Sequence, residues 1–210
     1  MKLLELFAGT GSVGNVFKDK GWGVVSLDWD VNADIKTDIM DWNYQAAFEL
    51  GHFDVIWSSP PCTEYSIAKS VGVRKIDEAN KIVERTLEII NYFDPRYWFL
   101  QNPQSGKLKE ERMMNDLSYI DVDYCKYGML YRKRTRIWNN LDTWAPKPLC
   151  KRDCNSMMDN GRKHKEVAQR VPTDPVENRD GRRRWRQDEL YRIPAPLVEE
   201  MEAEINTSMQ

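Results

Sequence analysis

The opening of the chain limits the fold more than any other stretch. Leu3-Leu4-Glu5-Leu6-Phe7-Ala8 reads as a first strand, running into Gly9-Thr10-Gly11-Ser12-Val13-Gly14 and then a helical stretch through Phe17. Glycines at a strand-to-helix turn let backbone approach a ligand, and the start of the helix offers unpaired N–H groups. Gly9-x-Gly11-x-x-Gly14 matches a dinucleotide fingerprint literally, and alone it leaves dinucleotide and adenosyl cofactors both open. Val24-Val25-Ser26-Leu27 gives a second strand ending at Asp28-Trp29-Asp30. An acid there is placed to accept from ribose hydroxyls, and Trp29 either faces an adenine or fills core. Asp34 to Ile39 gives a short third strand carrying a further carboxylate, Asp38.

The alternation continues. Phe53-Asp54-Val55-Ile56 is a buried strand, Ile76 to Phe93 carries apolar residues at helical spacing, and Tyr97-Trp98-Phe99-Leu100 is another buried strand. A helix is expected to follow to Leu117. Two late strands then come at Ile120 to Tyr124 and Arg134 to Trp138, joined by a turn at Tyr127-Gly128. Strands alternating with helices from the first residue predict an α/β fold, a Rossmann-like doubly wound and mostly parallel sheet with helices on both faces. Residues 141–190 lose this rhythm, and Leu197 to Ile205 forms a terminal helix with a solvated acidic face. One compact domain is expected, with a core over 1–140, a short basic segment over 141–190 and a closing helix over 191–210.

The charge distribution is uneven. Residues 126–192 hold 18 Lys/Arg against 9 Asp/Glu, while the remainder holds 13 against 24. A basic segment beside an acidic body suits a polyanionic partner approached from one side, and a merely solvated loop is the plainer alternative. No apolar run reaches membrane-span length and no signal peptide is read, so an intracellular location without a targeting signal is expected. The four cysteines are irregularly spaced, which points to a reducing compartment rather than a disulfide scaffold.

One cysteine stands out by its setting. In Ser58-Ser59-Pro60-Pro61-Cys62 a thiol follows a buried strand on a turn stiffened by two prolines. Strand ends of this kind are where open α/β sheets bind ligands. Taken alone, the turn is equally an ordinary loop with an inert thiol.

Four stretches together go further. Leu6-Phe7-Ala8-Gly9-Thr10-Gly11, Pro60-Pro61-Cys62-x-x-x-Ser66, Gln101-Asn102-Pro103 and Arg134-Thr135-Arg136 occur in the order in which the C5-cytosine DNA methyltransferases carry similar motifs. The resemblance covers most of residues 1–140 and is closest to short viral or phage-like members. It implies a class I methyltransferase fold and S-adenosyl-L-methionine as cofactor, with S-adenosyl-L-homocysteine as product. The implied cofactor residues are Phe7, Ala8, Gly9, Thr10, Gly11, Ser12 and Val13, with Asp28, Trp29, Asp38, Ile39 and Pro60. Cys62 is implied as the nucleophile that adds to C6 of a flipped cytosine in double-stranded DNA. Arg134 and Arg136 are implied to hold the flipped nucleotide and to favour the thiolate. Ser66, Asn102 and Pro103 join them around the substrate, and the chain is expected to act as a monomer away from membranes.

The chain departs from the family pattern twice. Gln101 stands where the family has Glu; an amide can recognise cytosine but cannot pass it a proton, which lowers rate by about 10²–10⁴-fold. A slow enzyme, a base- and cofactor-binding module, and a tRNA methyltransferase are the readings this leaves. The family's large recognition region is also missing, so Arg183, Arg184 and Trp185 in the Arg182-to-Arg186 run are the candidate DNA contacts. Cys125, Cys150, Cys154 and His164 form either a structural zinc set or a group of ordinary reduced thiols.

Overall fold

The computed structural model describes residues 1–31, 33–169 and 185–209. A seven-stranded sheet forms from β1 (Lys2–Leu6), β2 (Gly23–Asp28), β3 (Ile35–Lys36), β4 (Val55–Ser58), β5 (Tyr97–Pro103), β6 (Tyr119–Asp123) and β7 (Arg134–Asn139). Their order is β3-β2-β1-β4-β5-β7-β6, with β7 antiparallel to both of its neighbours and every other pairing parallel. The doubly wound sheet expected from the alternation is thus present. The expected third strand narrows to two paired residues, Ile35 and Lys36.

Among the described residues, five α-helices accompany the sheet: α1 (Ser12–Asp19), α2 (Tyr44–Ala47), α3 (Ile76–Phe93), α4 (Gln187–Tyr191) and α5 (Ala195–Ser208). Side chains alternate across a strand, so neighbouring apolar residues on β1 feed opposite cores. Leu3, with Val55, Trp57 and Phe99, packs under α1 and α5. Leu4 and Leu6, with Ile56, pack under α3 through Ile89, Ile90 and Phe93. Burial on both faces is why the central strands read as unbroken apolar runs.

Two expectations change. The stretch before Leu117 holds two 3₁₀ turns, Lys107–Glu110 and Arg112–Met114, in place of an α-helix. The acidic side of α5 is not simply solvated. Glu202 is 4% exposed and accepts from Trp22 Nε1 at 2.9 Å, and Glu200 accepts from Tyr127 Oη at 2.9 Å and Trp144 Nε1 at 3.1 Å. Indole and phenol donors carried into a core need acceptors, and these carboxylates supply them. No described helix is long and apolar enough to cross a membrane.

Candidate active site

The order of strands reverses direction between β1 and β4, and a crevice opens there beyond the strands' carboxyl ends. It forms a cleft of about 740 Å³, within the usual size of a small-molecule site. Because β7 runs against β5, the residues that precede β7 arrive at this same edge.

The first wall comes from β1 and its glycine turn. Phe7 adopts a left-handed backbone (φ 60°), a strained conformation for a residue with a Cβ and one that turns the chain sharply at the cleft. Gly11 caps α1, also left-handed at φ 66°. Gly14 is needed for a different reason: a Cβ there would collide with Glu5 Oε2. Glu5 is buried, accepts from the Val13 N–H at 3.3 Å, and lines the cleft. Burial pushes its carboxyl up to about 7, against the opposing pull of the Gly14 and Val13 N–H groups.

Asp28 at the end of β2 accepts from Gly9 N–H at 2.9 Å through Oδ2 and from Asp30 N–H at 3.0 Å through Oδ1. A carboxylate has about four acceptor sites, so capacity for a hydroxyl partner remains. Trp29 also lines the cleft and stays 71% exposed, which decides the earlier alternative against a core role. Thr10, Ser12, Ala8 and Gly9 line this wall too. Asp38 and Ile39 do not: Asp38 caps the Met40 N–H at 2.9 Å, and Ile39 is buried in the core under α3. Gly11 and Val13 shape the turn from behind the cleft surface.

The opposite wall carries the thiol. Trp57 Nε1 donates to Ser59 Oγ at 2.9 Å, Ser59 N–H donates to Leu6 O at 3.3 Å, and Asn102 Nδ2 donates to Pro60 O at 3.0 Å. The Pro60-Pro61-Cys62 turn is therefore held from two neighbouring strands, and Cys62 is half-buried at the cleft. Gln101, Asn102 and Pro103 line the cleft beside it from the end of β5. Asn102 Oδ1 is buried with no hydrogen-bond partner among the described residues. Ser66 lies farther along the loop, where its Oγ accepts from Ala68 N–H at 3.2 Å, outside the cleft lining.

The expected arginines are committed elsewhere. Arg134 grips Asp123 at 2.7 and 3.0 Å, and Arg136 grips Asp121 at 2.8 and 3.0 Å and lies 3.5 Å over the Tyr119 ring. Each pair sits directly across β6 and β7. Among the described residues, the cation that lines the cleft is Lys133, whose Nζ donates to Leu190 O at 2.7 Å and lies 5.2 Å over the Tyr124 ring. Desolvation lowers the Lys133 ammonium to about 8, while Cys62 pulls it back upward. Burial raises the Cys62 thiol, and Lys133 opposes that rise. Asp188, Tyr191 and Ile193 complete the cleft from α4 and the turn after it.

Of the candidate DNA contacts, Arg183 and Arg184 lie outside the described residues. Trp185 packs edge-on against Tyr131 at 5.3 Å and is not part of the cleft. Cys125, Cys150, Cys154 and His164 do converge: their four candidate ligand atoms all lie within 4.8 Å of one another.

The strand order and a cleft at the topological switch define a class I methyltransferase fold. A solved E. coli protein described as a "putative DNA modification methyltransferase encoded within prophage" has the same fold, at a TM-score of 0.54 and 15% identity, over 71% of this chain and 52% of that one. The chain thus spans about half the length of that structure. The C-5 cytosine-specific DNA methylase family matches residues 1–120. A protein of frog virus 3 named "Probable DNA (cytosine-5)-methyltransferase" is 31% identical over 96% of this chain and 98% of its own length. The chain belongs to the C-5 cytosine-specific DNA methylase family.

Proposed function

We propose that this chain methylates C5 of cytosine in double-stranded DNA, using S-adenosylmethionine and a transient Cys62 adduct. The observation that carries the reading is the sharing of one cleft by the glycine turn and Asp28 on one side and Cys62, Gln101 and Asn102 on the other. The cofactor supplies an electrophilic methyl carbon when bound. Asp28 retains acceptor capacity for its ribose, and Trp29 offers an uncovered aromatic face at the rim.

Cys62 is the nucleophile. Its sulfur bonds to C6 of a flipped cytosine, which makes C5 electron-rich enough to take the methyl group. Loss of the C5 proton then breaks the S–C6 bond and returns the thiolate. Lys133 is the group in the cleft that favours the thiolate, in the place expected of Arg134 and Arg136. The two arginines instead tie β7 to β6 and set the height at which Lys133 enters. The Gln101 amide can accept from the exocyclic amine of cytosine and donate to neutral N3, but it brings no proton. Base binding is retained and turnover is slow.

Incubation with tritiated cofactor and either duplex DNA or tRNA tests this reading. Label in DNA cytosine, and a covalent complex with 5-fluorocytosine duplex that Cys62→Ala abolishes, are the expected results. A complex that survives Cys62→Ala would remove the thiol from its role. Label in tRNA alone would change the substrate. Absence of label from both, with Gln101→Glu as well, would leave a binding module.

A further inference from the structure

The cysteine–histidine cluster lies apart from the cleft chemistry, and its surroundings ask for something the polypeptide does not provide. From 145 to 169 no large apolar side chain is buried. A segment of that length without a core of its own needs another source of order. It nevertheless follows a defined course. Ser156 Oγ donates to Met129 O at 2.7 Å, Glu166 N–H donates to Leu130 O at 3.0 Å, and Met157 and His164 face each other across a small antiparallel bridge.

We propose that Cys125, Cys150, Cys154 and His164 bind one structural zinc ion, which pins this segment to the end of β6. The donor set is three thiolates and one imidazole, a tetrahedral combination typical of structural zinc. Zn–S bonds of about 2.3 Å and Zn–N bonds of about 2.0–2.1 Å place tetrahedral ligands about 3.5–3.8 Å apart. The Cys150 Sγ to His164 Nε2 separation is already 3.5 Å, and all separations are within 4.8 Å. A contraction of an ångström or less closes the set. The odd number of thiols does not suit a closed disulfide arrangement.

The loop between Cys150 and Cys154 supports the assignment independently. Arg152 sits in the left-handed region at φ 69°, which turns its N–H onto Cys150 Sγ at 3.3 Å. A backbone donor aimed at sulfur stabilises a thiolate more than a thiol. Lys126, next to Cys125, pairs with Asp153 at 2.8 Å and holds the two halves of the set together. On binding, the three thiols give up their protons to solvent, so uptake is pH-dependent.

The site also reaches the sheet. Cys150 N–H donates to Asp123 Oδ2 at 2.9 Å, the carboxylate that grips Arg134. The metal would therefore fix the neighbour of Lys133 through one carboxylate, and its role is positional.

Protein purified from zinc-supplemented cells should contain about one zinc per chain by mass spectrometry, and Cys62→Ser should retain it. Cys150→Ser should lose most of it. Alkylation of native protein should modify Cys62 and spare the other three thiols until a chelator is added. After chelation, hydrogen exchange should rise over 145–169 and not in β1 or β4, and Co²⁺ should restore protection with a thiolate-to-cobalt absorption. Should Cys150→Ser not fold, the chelated wild-type chain titrated with Co²⁺ still decides. Less than about a tenth of an equivalent of zinc, no cobalt–thiolate band, or equal alkylation of all four thiols in native protein would each overturn the proposal. Retention of metal by Cys62→Ser, which lacks the proposed nucleophile, keeps this result separate from the fate of the methylation reading.

Discussion

Replacing Glu5 by Gln should remove a pH dependence of stability that the wild-type chain carries. In the folded protein the Glu5 carboxyl titrates near 7, against an ordinary value of 4.5, and burial is the main cause. A group with a raised folded-state pKa stabilises the native state fully below its unfolded value and loses that contribution as pH rises through the folded value. The window here is about pH 4.5 to 7. At about 1.4 kcal/mol per unit, the wild type loses about 3 kcal/mol across it. For a chain of this size that corresponds to about 6–12 °C in Tm. Glutamine can still accept from the Val13 N–H but meets the Gly14 N–H with a donor of its own, which adds an offset that does not vary with pH. The comparison is therefore of slopes. Urea unfolding of both proteins from pH 5 to 8 should show the wild type falling relative to Glu5→Gln up to pH 7 and running parallel above it. Parallel curves throughout would mean that Glu5 is ionised in the fold and that water reaches it.

Gln101→Glu should raise the methylation rate by about 10²-fold or more by restoring a proton donor at N3, measured by single-turnover transfer to duplex DNA; an unchanged rate would show that the amide is no handicap. Lys133→Met should slow iodoacetamide alkylation of Cys62 at pH 8 by about threefold or more, because the cation that favours the thiolate is gone. Arg134→Met should affect it less, and equal effects would return the role to the arginine. Gly14→Ala should destabilise by about 2 kcal/mol or more, since the added methyl drives into the Glu5 carboxylate; a Tm shift under a degree or two would mean that α1 moves aside easily.

The sheet was legible because parallel strands buried on both faces leave continuous apolar runs, as in Val55-Ile56-Trp57 and Phe99-Leu100. The placement of the glycine turn and Cys62 at the cleft was legible because each follows a strand end. Lys133 was not. Its approach to Cys62 depends on β7 entering the sheet against β5, and no local pattern announces that reversal. A signal did exist for the arginines: Asp121-x-Asp123 and Arg134-x-Arg136 share the strand period, and pairing them antiparallel predicts two cross-strand ion pairs. Asp38 and Ile39 were assigned to the cleft from resemblance, but the strand that precedes them pairs over only two residues and then bends away toward α3. Glu200 and Glu202 look like a solvated acidic face until the positions of Trp22, Tyr127 and Trp144 are known, because those donors come from distant parts of the chain.

The bond from Trp22 to Glu202 spans 180 residues. On the ribosome, α1 and the face of β1 beneath it wait for α5 before their core can close, since Phe17 and Trp22 share that core with Leu197, Val198 and Met201. The Lys133 ammonium waits likewise for the Leu190 carbonyl, and the far wall of the cleft for Asp188, Tyr191 and Ile193. A nascent chain can carry every motif from the glycine turn to Arg136 and still have no finished site. Contacts of such long range fold late, so the cleft that holds Cys62 and the glycine turn is completed only after α5 has left the exit tunnel.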